Sequence, residues 1–373
     1  PAADRQLEIS FIGYTPVSIV VGSRTSFEIT LEEAASEIEQ VVVTALGIKR
    51  SEKAVAYNVQ QIKAEDITTV KDANFINSLT GKVAGVTINA SSSGVGGASK
   101  VVLRGNKSIS QSSNALYVID GIPMYNFGGG GGTEFDSRGA TESIADLNPE
   151  DIESMSVLTG AAAAALYGSQ GANGVIVITT KRGRMAERAK INYRMQLGFS
   201  QIAYGNWDLM NTSERIQYEK ELGLTDGKNY NVLAKTDVNW LDEVFSNAAL
   251  LQNYELSVSG ASEKTNYYVS GGYYSQDGTA VGSSFERYSI RANVEQQAAK
   301  WLKLGTNTMM NYQTIEKADD GEYTLTTPIS AARFMLPYWN PHRAGGSLAS
   351  VNDGSWKGEG QNPLEWLKNN PVD

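Results

Sequence analysis

Gly174-Val175-Ile176-Val177-Ile178-Thr179-Thr180 is followed by Lys181-Arg182-Gly183-Arg184 and then by Ile191-Asn192-Tyr193-Arg194-Met195-Gln196-Leu197-Gly198-Phe199-Ser200. Two kinds of strand stand on either side of a basic boundary. The first is nearly continuously apolar, the pattern of a strand buried on both faces. The second alternates residue by residue, the pattern of a strand with one apolar and one polar face. The chain is therefore predicted to pass near residue 183 from a compact α/β unit into an antiparallel sheet.

Downstream the alternation recurs. Tyr254, Leu256 and Val258 alternate with Glu255, Ser257 and Ser259. Tyr267, Val269, Gly271 and Tyr273 form a weaker third run. Tyr288, Ile290, Ala292 and Val294 alternate with Ser289, Arg291, Asn293 and Glu295, and a fifth run spans Leu302 to Tyr312. Each run is near the length that crosses a bilayer at a tilt, with aromatic residues expected near the strand ends, as in an interfacial girdle. The connections alternate too. Residues 201–249 and 316–373 are long, 278–284 is intermediate, and Ala261-Ser262-Glu263-Lys264 and Gln297 to Lys300 are tight. Tight turns on one side and long loops on the other are the build of an outer-membrane barrel. An ordinary soluble sheet with one wet face explains the alternation as well, but not the regular strand length. Five strands leave open edges, which lipid does not tolerate, so the chain is expected to continue past Asp373. Pro1 opens straight into a strand-like segment, so the start is expected to be either a processed end or an internal point of a longer chain.

Upstream, residues 54–183 read as one α/β unit. Asp72 to Val83 carries Phe75, Ile76, Leu79 and Val83 at helical spacing. Short strands are predicted at Gly85 to Ile88, Ser99 to Arg104, Ala115 to Ile119 and Met155 to Leu158. Asn148-Pro149-Glu150-Asp151 has an N-cap residue, a proline at the first helical position and acids near the positive helix end. Ala161 to Leu166 is a small-residue helix. Glu39-Gln40-Val41-Val42-Val43-Thr44-Ala45 reads either as a buried strand or as an extended peptide offered to a partner's sheet edge. Three short strands are predicted within residues 7–31, too few for an independent domain, so they read as the tail of a small β-sandwich.

Composition removes several functions. The chain has 373 residues, no cysteine, one histidine (His342) and a net charge of −9. Disulfide scaffolds, thiol nucleophiles and multi-histidine metal sites are excluded. The acidic balance argues against a nucleic-acid binder. No apolar run of about eighteen residues forms a transmembrane helix. Serines and acids lack a partnering histidine outside His342, so the chain reads as no enzyme, and no cofactor or metal is expected. Asp319, Asp320 and Glu322 read as a solvated acidic run rather than a Ca²⁺ site.

At this point the residues carry a resemblance. Asn77-Ser78-Leu79-Thr80-Gly81-Lys82-Val83-Ala84-Gly85-Val86, Leu103-Arg104-Gly105, Leu116-Tyr117-Val118-Ile119-Asp120-Gly121-Ile122-Pro123, Leu147 to Ser154 and Ala165 to Ile176 occur in order. Together they resemble the plug motifs of the SusC/RagA family of TonB-linked outer-membrane proteins of Bacteroidetes. The resemblance implies a carboxypeptidase-regulatory-like β-sandwich end over 1–37, a TonB box over 38–46, a plug over 47–183 and the first strands and loops of a transmembrane β-barrel over 184–373. A barrel wide enough for such a plug has about 22 strands.

The implied function is TonB-dependent import of glycans or oligopeptides across the outer membrane. Its implied partners are TonB with ExbB/ExbD, a SusD-like surface lipoprotein lid and outer-membrane lipid, with a dimer of importer–lipoprotein pairs as one arrangement. A siderophore or vitamin receptor without a lid and a β-rich adhesion protein are the alternatives. The box residues would be Glu39, Gln40, Val41, Val42, Val43 and Thr44, the valines favouring the extended state. In the glycine-rich loop 124–138, Tyr125 is the candidate to stack on substrate, and Asn126, Glu134, Asp136 and Arg138 the candidates to hydrogen-bond it; a solvated loop is the competing reading. The aromatic segment after residue 316 (Tyr323, Phe334, Tyr338, Trp339, Trp356, Trp366) either meets the lid or packs on itself.

Overall fold

The structure, a computed structural model, describes residues 6–9, 17–20, 27, 29, 30, 41–43, 49–51, 59–68, 72–90, 95–97, 99–105, 114–124, 143–159, 161–183, 189–203, 205, 207–318 and 327–369. Near the N-terminus, β1 (Gln6–Ile9) pairs antiparallel with β2 (Val17–Val20). Phe27, Ile29 and Thr30, the described residues of the third expected strand, form none. Then β3 (Val41–Val43) pairs antiparallel with β4 (Lys49–Ser51).

The α/β unit is built on a five-stranded sheet of β5 (Val59–Lys63), β8 (Leu116–Ile119), β9 (Ile122–Met124), β10 (Ile152–Leu158) and β11 (Val175–Thr180), in the order β5-β10-β11-β8-β9. β11 is buried at every position, as its apolar run requires. It pairs antiparallel with β10 and parallel with β8. A separate hairpin joins β6 (Val86–Ala90) and β7 (Ser99–Leu103). The Asp120-Gly121 turn between β8 and β9 has φ of +49° and +91°. Positive φ at both central residues matches the twist of the flanking strands, which is why Asp-Gly occupies it.

One sheet face, with the short helix α1 (Ala64–Thr68), closes over Phe75, Ile76, Leu79, Val101, Leu103, Leu147, Ile152, Met155, Ile176 and Ile178. Each such side chain stabilises by about 1.5–3 kcal/mol when fully buried. The helical spacing over 72–83 yields only a 3-10 turn, Phe75–Leu79, capped by Asn74. Asn77, Ser78 and Thr80 are poor helix formers, and Gly81 adopts φ +76° directly after them. The Asn148 cap forms as expected: its side chain accepts from Glu150 N at 3.1 Å and opens the 3-10 turn Pro149–Asp151. The turn runs straight into β10, which starts three residues before the predicted strand. Helix α2 (Ala161–Tyr167) packs on the other sheet face with Val118, Leu158, Val175 and Val177.

Beyond residue 189 five strands form a continuous antiparallel wall: β12 (Lys190–Ser200), β13 (Ala249–Ala261), β14 (Thr265–Asp277), β15 (Ser284–Ala299) and β16 (Leu302–Glu316). At 11 to 16 residues they are as long as or longer than a bilayer crossing needs. The outer face carries Ile191, Tyr193, Met195, Leu197, Leu256, Ile290 and Met310, all more than half exposed. The inner face carries the buried Glu255, Ser257, Ser270, Arg287, Ser289, Arg291 and Asn293. Tyr254, Tyr273, Tyr288 and Tyr312 pair in register across four strands, with neighbouring ring centroids 4.9–6.4 Å apart. This aromatic row lies four or five residues inside the long-loop ends, not at the ends themselves.

Candidate functional site

The α/β unit lies against the inner face of the wall, and their seam is mainly polar. Thr180, the last residue of β11, is its centre. Its hydroxyl donates to Asp120 Oδ2 at 2.6 Å and accepts from Arg291 Nη2 at 2.7 Å and Asn293 Nδ2 at 3.1 Å. One proton given and two accepted use its full capacity. Arg291 also pairs with Asp120 Oδ2 at 2.6 Å, both side chains about 95% buried or more. Asn293 donates again, to Lys181 O at 2.9 Å. Thus the αL turn residue, a strand end and two neighbouring wall positions are locked in one network.

Around it, Asp151 accepts from Tyr268 at 2.9 Å and Ser270 at 2.5 Å. Burial pushes the Asp151 carboxyl above its ordinary value, against those two hydrogen bonds and the charges of Arg291 and Lys181. Burial likewise raises Asp146, with the charge of Arg287 opposing. Buried Glu150 is paired by Arg194 of β12. Asn148 Nδ2 reaches Ser289 at 3.4 Å, and a Cβ at wall residue Gly272 would sit 2.9 Å from both groups, so glycine keeps that approach open. Toward the long loops the contact turns apolar: Ala73 and Val95 meet Leu251, Tyr274 and Phe285. A Cβ at Gly96 would lie 2.4 Å from the Phe285 ring.

Between β5–β10 and the wall strands β12–β13 the two units part. A cavity of about 730 Å³ opens there, lined by Gln61, Lys63 and Glu153 on one side and by Asn192, Arg194 and Ser257 on the other.

The two long connections fold onto each other beyond the wall. The first holds α3 (Thr212–Glu221), α4 (Tyr230–Leu233) and α5 (Trp240–Val244), and the second α6 (Pro328–Phe334) and α7 (Pro363–Asn369). Trp240, Leu241, Val244, Phe245, Ala331, Met335, Trp356 and Leu364 form a shared core. Fully buried Glu219 accepts from Lys228 at 2.8 Å, Tyr338 at 2.9 Å, Arg215 at 3.0 Å and Tyr230 at 3.2 Å. Burial pushes this carboxyl up, but the hydrogen bonds from Lys228, Tyr338 and Arg215 outweigh it and hold it below its ordinary value. His342 meets Glu243 at 2.9 Å across the same junction.

Of the residues singled out in the sequence, Val41, Val42 and Val43 form a strand whose backbone pairs with Lys49–Ser51. Glu39, Gln40 and Thr44 lie outside the described residues, as do Tyr125, Asn126, Glu134, Asp136 and Arg138 and the acidic run Asp319, Asp320 and Glu322. Among the described residues no group of three or more metal-ligating side chains occurs. Of the aromatic segment, Tyr338 and Trp356 are buried, Trp356 edge-on against Trp240 of the first connection, while Phe334 remains 63% exposed and Tyr323 lies outside the described residues. The seam residues Asp120, Glu150, Asp151, Thr180, Arg194 and Arg291 are not among the site residues expected from the sequence. Arg194 and Arg291 stand on the polar side of the alternation in β12 and β15, and Asp120, Glu150 and Asp151 within turn and motif stretches, signals that mark a face or a turn without naming its partner.

An α/β unit seated on the polar face of a long-stranded wall is the arrangement of TonB-dependent receptors, and the family model "TonB-dependent Receptor Plug Domain" matches residues 51–175. TonB-dependent receptor P3 of Formosa agariphila is 33% identical over 82% of this chain and 28% of its own length. TonB-dependent receptor SusC of Bacteroides thetaiotaomicron is 29% identical over 77% of this chain and 27% of its own length. The RagAB peptide importer in its open-open state superposes with a TM-score of 0.74 at 29% identity, covering 88% of this chain and 38% of the importer chain. The chain belongs to the SusC/RagA family of TonB-linked outer-membrane proteins. It spans less than a third of the length of the curated relatives quoted.

Proposed function

We propose that this chain forms the plug and first wall strands of an outer-membrane importer that takes up oligomeric nutrients, glycans or oligopeptides, on energy delivered by TonB. The observation that carries the reading is the contrast between an apolar plug core and a largely polar seam with the wall. An apolar interior resists unfolding as a unit, whereas seam hydrogen bonds can be exchanged for bonds to water. A plug so built can move without exposing a greasy surface.

In this reading residues 38–46 are the TonB box. Glu39 to Thr44 add as a strand to a sheet edge of TonB, which ExbB/ExbD energises, and main-chain hydrogen bonds transmit the pull. For that, Val41–Val43 must first leave Lys49–Ser51. The sandwich end over 1–37, the plug over 47–183, the wall from 184 onward and a barrel of about 22 strands belong to the same reading. So do Tyr125, Asn126, Glu134, Asp136 and Arg138 as substrate contacts. A SusD-like lipoprotein would close the outer side above the long-loop module. The RagAB likeness brings oligopeptides forward as substrate.

Affinity capture of the full-length protein from detergent-solubilised outer membranes, with mass spectrometry, tests the partner. A stoichiometric surface lipoprotein is expected. A barrel captured alone would overturn the lid and favour a receptor for smaller chelates. Deleting residues 38–45 should abolish growth on the cognate nutrient without lowering the amount of folded protein; unchanged growth would sink the box assignment.

A further inference from the structure

Helix α6 of the long-loop module leaves one face open. Ala331, Ala332 and Met335 turn into the core that the two long connections share. Ile329 and Arg333, four residues apart and therefore on one side of the helix, stay exposed, as does Phe334 next to them. The first connection lays a second exposed group against this face. Arg333 stacks its guanidinium over the Trp207 ring, 5.1 Å from the centroid. Leu209 and Met210 follow Trp207 in the chain, and all three are exposed. Both segments are held firmly at one end. Thr327 caps α6 by accepting from Ser330 N, and Asn211 closes the exposed segment with the capping box of α3.

Arg333 makes no ion pair or hydrogen bond among the described residues. Stacking fixes the plane of its guanidinium and leaves the edge N–H groups free, the geometry from which a carboxylate accepts two parallel hydrogen bonds. Tryptophan, phenylalanine, methionine and arginine are also the residues that carry recognition at binding surfaces. Single exposed apolar side chains are ordinary, but a group built from two chain segments around an unpaired cation marks a binding surface.

Resting on the importer reading, we propose that this patch binds an oligopeptide through one carboxylate side chain flanked by apolar ones. Arg333 takes the carboxylate, Trp207 holds Arg333 in place, and Phe334, Ile329 and the Leu209-Met210 pair cover the apolar neighbours. The chemistry of the patch favours this ligand over others. A neutral sugar stacks on an open aromatic face, and Arg333 already covers one face of Trp207. An acidic glycan supplies a carboxylate but no apolar side chains to bury. A ligand with many acids is repelled by Asp208, which is exposed between Trp207 and Leu209.

The test uses the full-length protein in detergent, together with any lipoprotein that purifies with it. A random hexapeptide pool, acetylated and amidated at its ends so that only side chains carry charge, is captured on the protein and read by mass spectrometry. Peptides with one aspartate or glutamate beside leucine, isoleucine, methionine or phenylalanine should be enriched about tenfold over the pool, the discrimination that a charge-assisted hydrogen bond supplies. Arg333→Met should remove the preference for the acid and keep a residual one for apolar side chains. Arg333→Lys should retain part of the acid preference, and Trp207→Leu, which frees the guanidinium, should lower it without abolishing it. No acid preference, a preference that survives Arg333→Met, or displacement of the captured peptides by an equal concentration of hexagalacturonate would each overturn the inference. These 373 residues contain no cysteine, so a thiol at Phe334→Cys stands alone among them. Captured peptide should slow its reaction with a maleimide. Protection before any peptide is added would mean that a protein surface covers the patch, and would overturn the proposal. Capture needs neither TonB nor transport, so normal capture without uptake in cells would count against the importer reading alone.

Discussion

The inside of the plug and the seam between plug and wall are built from opposite chemistry. Inside, Phe75, Ile76, Leu147, Ile152, Met155 and Ile178 are nearly or fully buried against one another. At the seam, Asp120, Thr180, Arg291 and Asn293 are just as buried, yet they meet through charge and hydrogen bonds. Burying a charge pair returns little net stability, since the desolvation cost offsets most of the attraction. Apolar burial returns its free energy in proportion to area. The plug is thus cohesive within itself and only conditionally attached. A third region, the long-loop module, combines both: an apolar core around Trp240 and Trp356 and a single saturated carboxylate, Glu219.

The contrast is broken most directly from the core. Phe75→Ala should cost about 3–5 kcal/mol, and should unfold the plug while leaving the wall strands intact, as read by hydrogen exchange across the two regions. If the wall opens with the plug, the two are one cooperative unit and the distinction fails. At the seam, Arg291→Met alone should cost about 3 kcal/mol, because it strands the buried Asp120 carboxylate. The double change Asp120→Asn with Arg291→Met should recover most of that, asparagine tolerating the positive φ at this turn. A double variant no better than the single would mean that the pair adds net attraction. In the loop module, Glu219→Gln should cost about 1.5–3 kcal/mol. Its carboxyl is held below the ordinary value, so its contribution is present above pH 4.5 and is lost as pH falls through the lowered folded value. Hydrogen exchange of α3 measured down an acid series should show the loss in the parent and not in the variant. The smallest effect is expected on the outer face, where Tyr288→Ala removes one member of the aromatic row at about 0.2–1 kcal/mol, read as a shift in the melting of the wall in detergent.

Much of the fold was legible because it depends on local pattern. The alternation of Ile191 to Ser200 and of Tyr288 to Glu295 assigned the two faces of the wall. The continuous run Val175 to Ile178 assigned a fully buried strand. Asn148 capped its turn as its side chain and the following proline require. The helix over 72–83 failed where a short segment with Asn77, Ser78 and Gly81 met the geometry of the surrounding core, and tertiary packing outweighed spacing. The candidate site was far less legible. The loop residues from Tyr125 to Arg138 carry chemistry that suits a substrate contact, but nothing in the sequence says what they face.

What the sequence determined by itself is therefore the set of elements, the polarity of each face and the family that those motifs mark. Periodicity and turn chemistry act over a few residues, so they can be read along the chain. Only the tertiary structure decided that Asp120 meets Thr180, 60 residues away, and Arg291, 171 residues away. Many polar side chains on the wall face could have answered that carboxylate. The choice falls to how the rigid plug sheet docks against the wall, a long-range matter of shape and buried charge that no local pattern records.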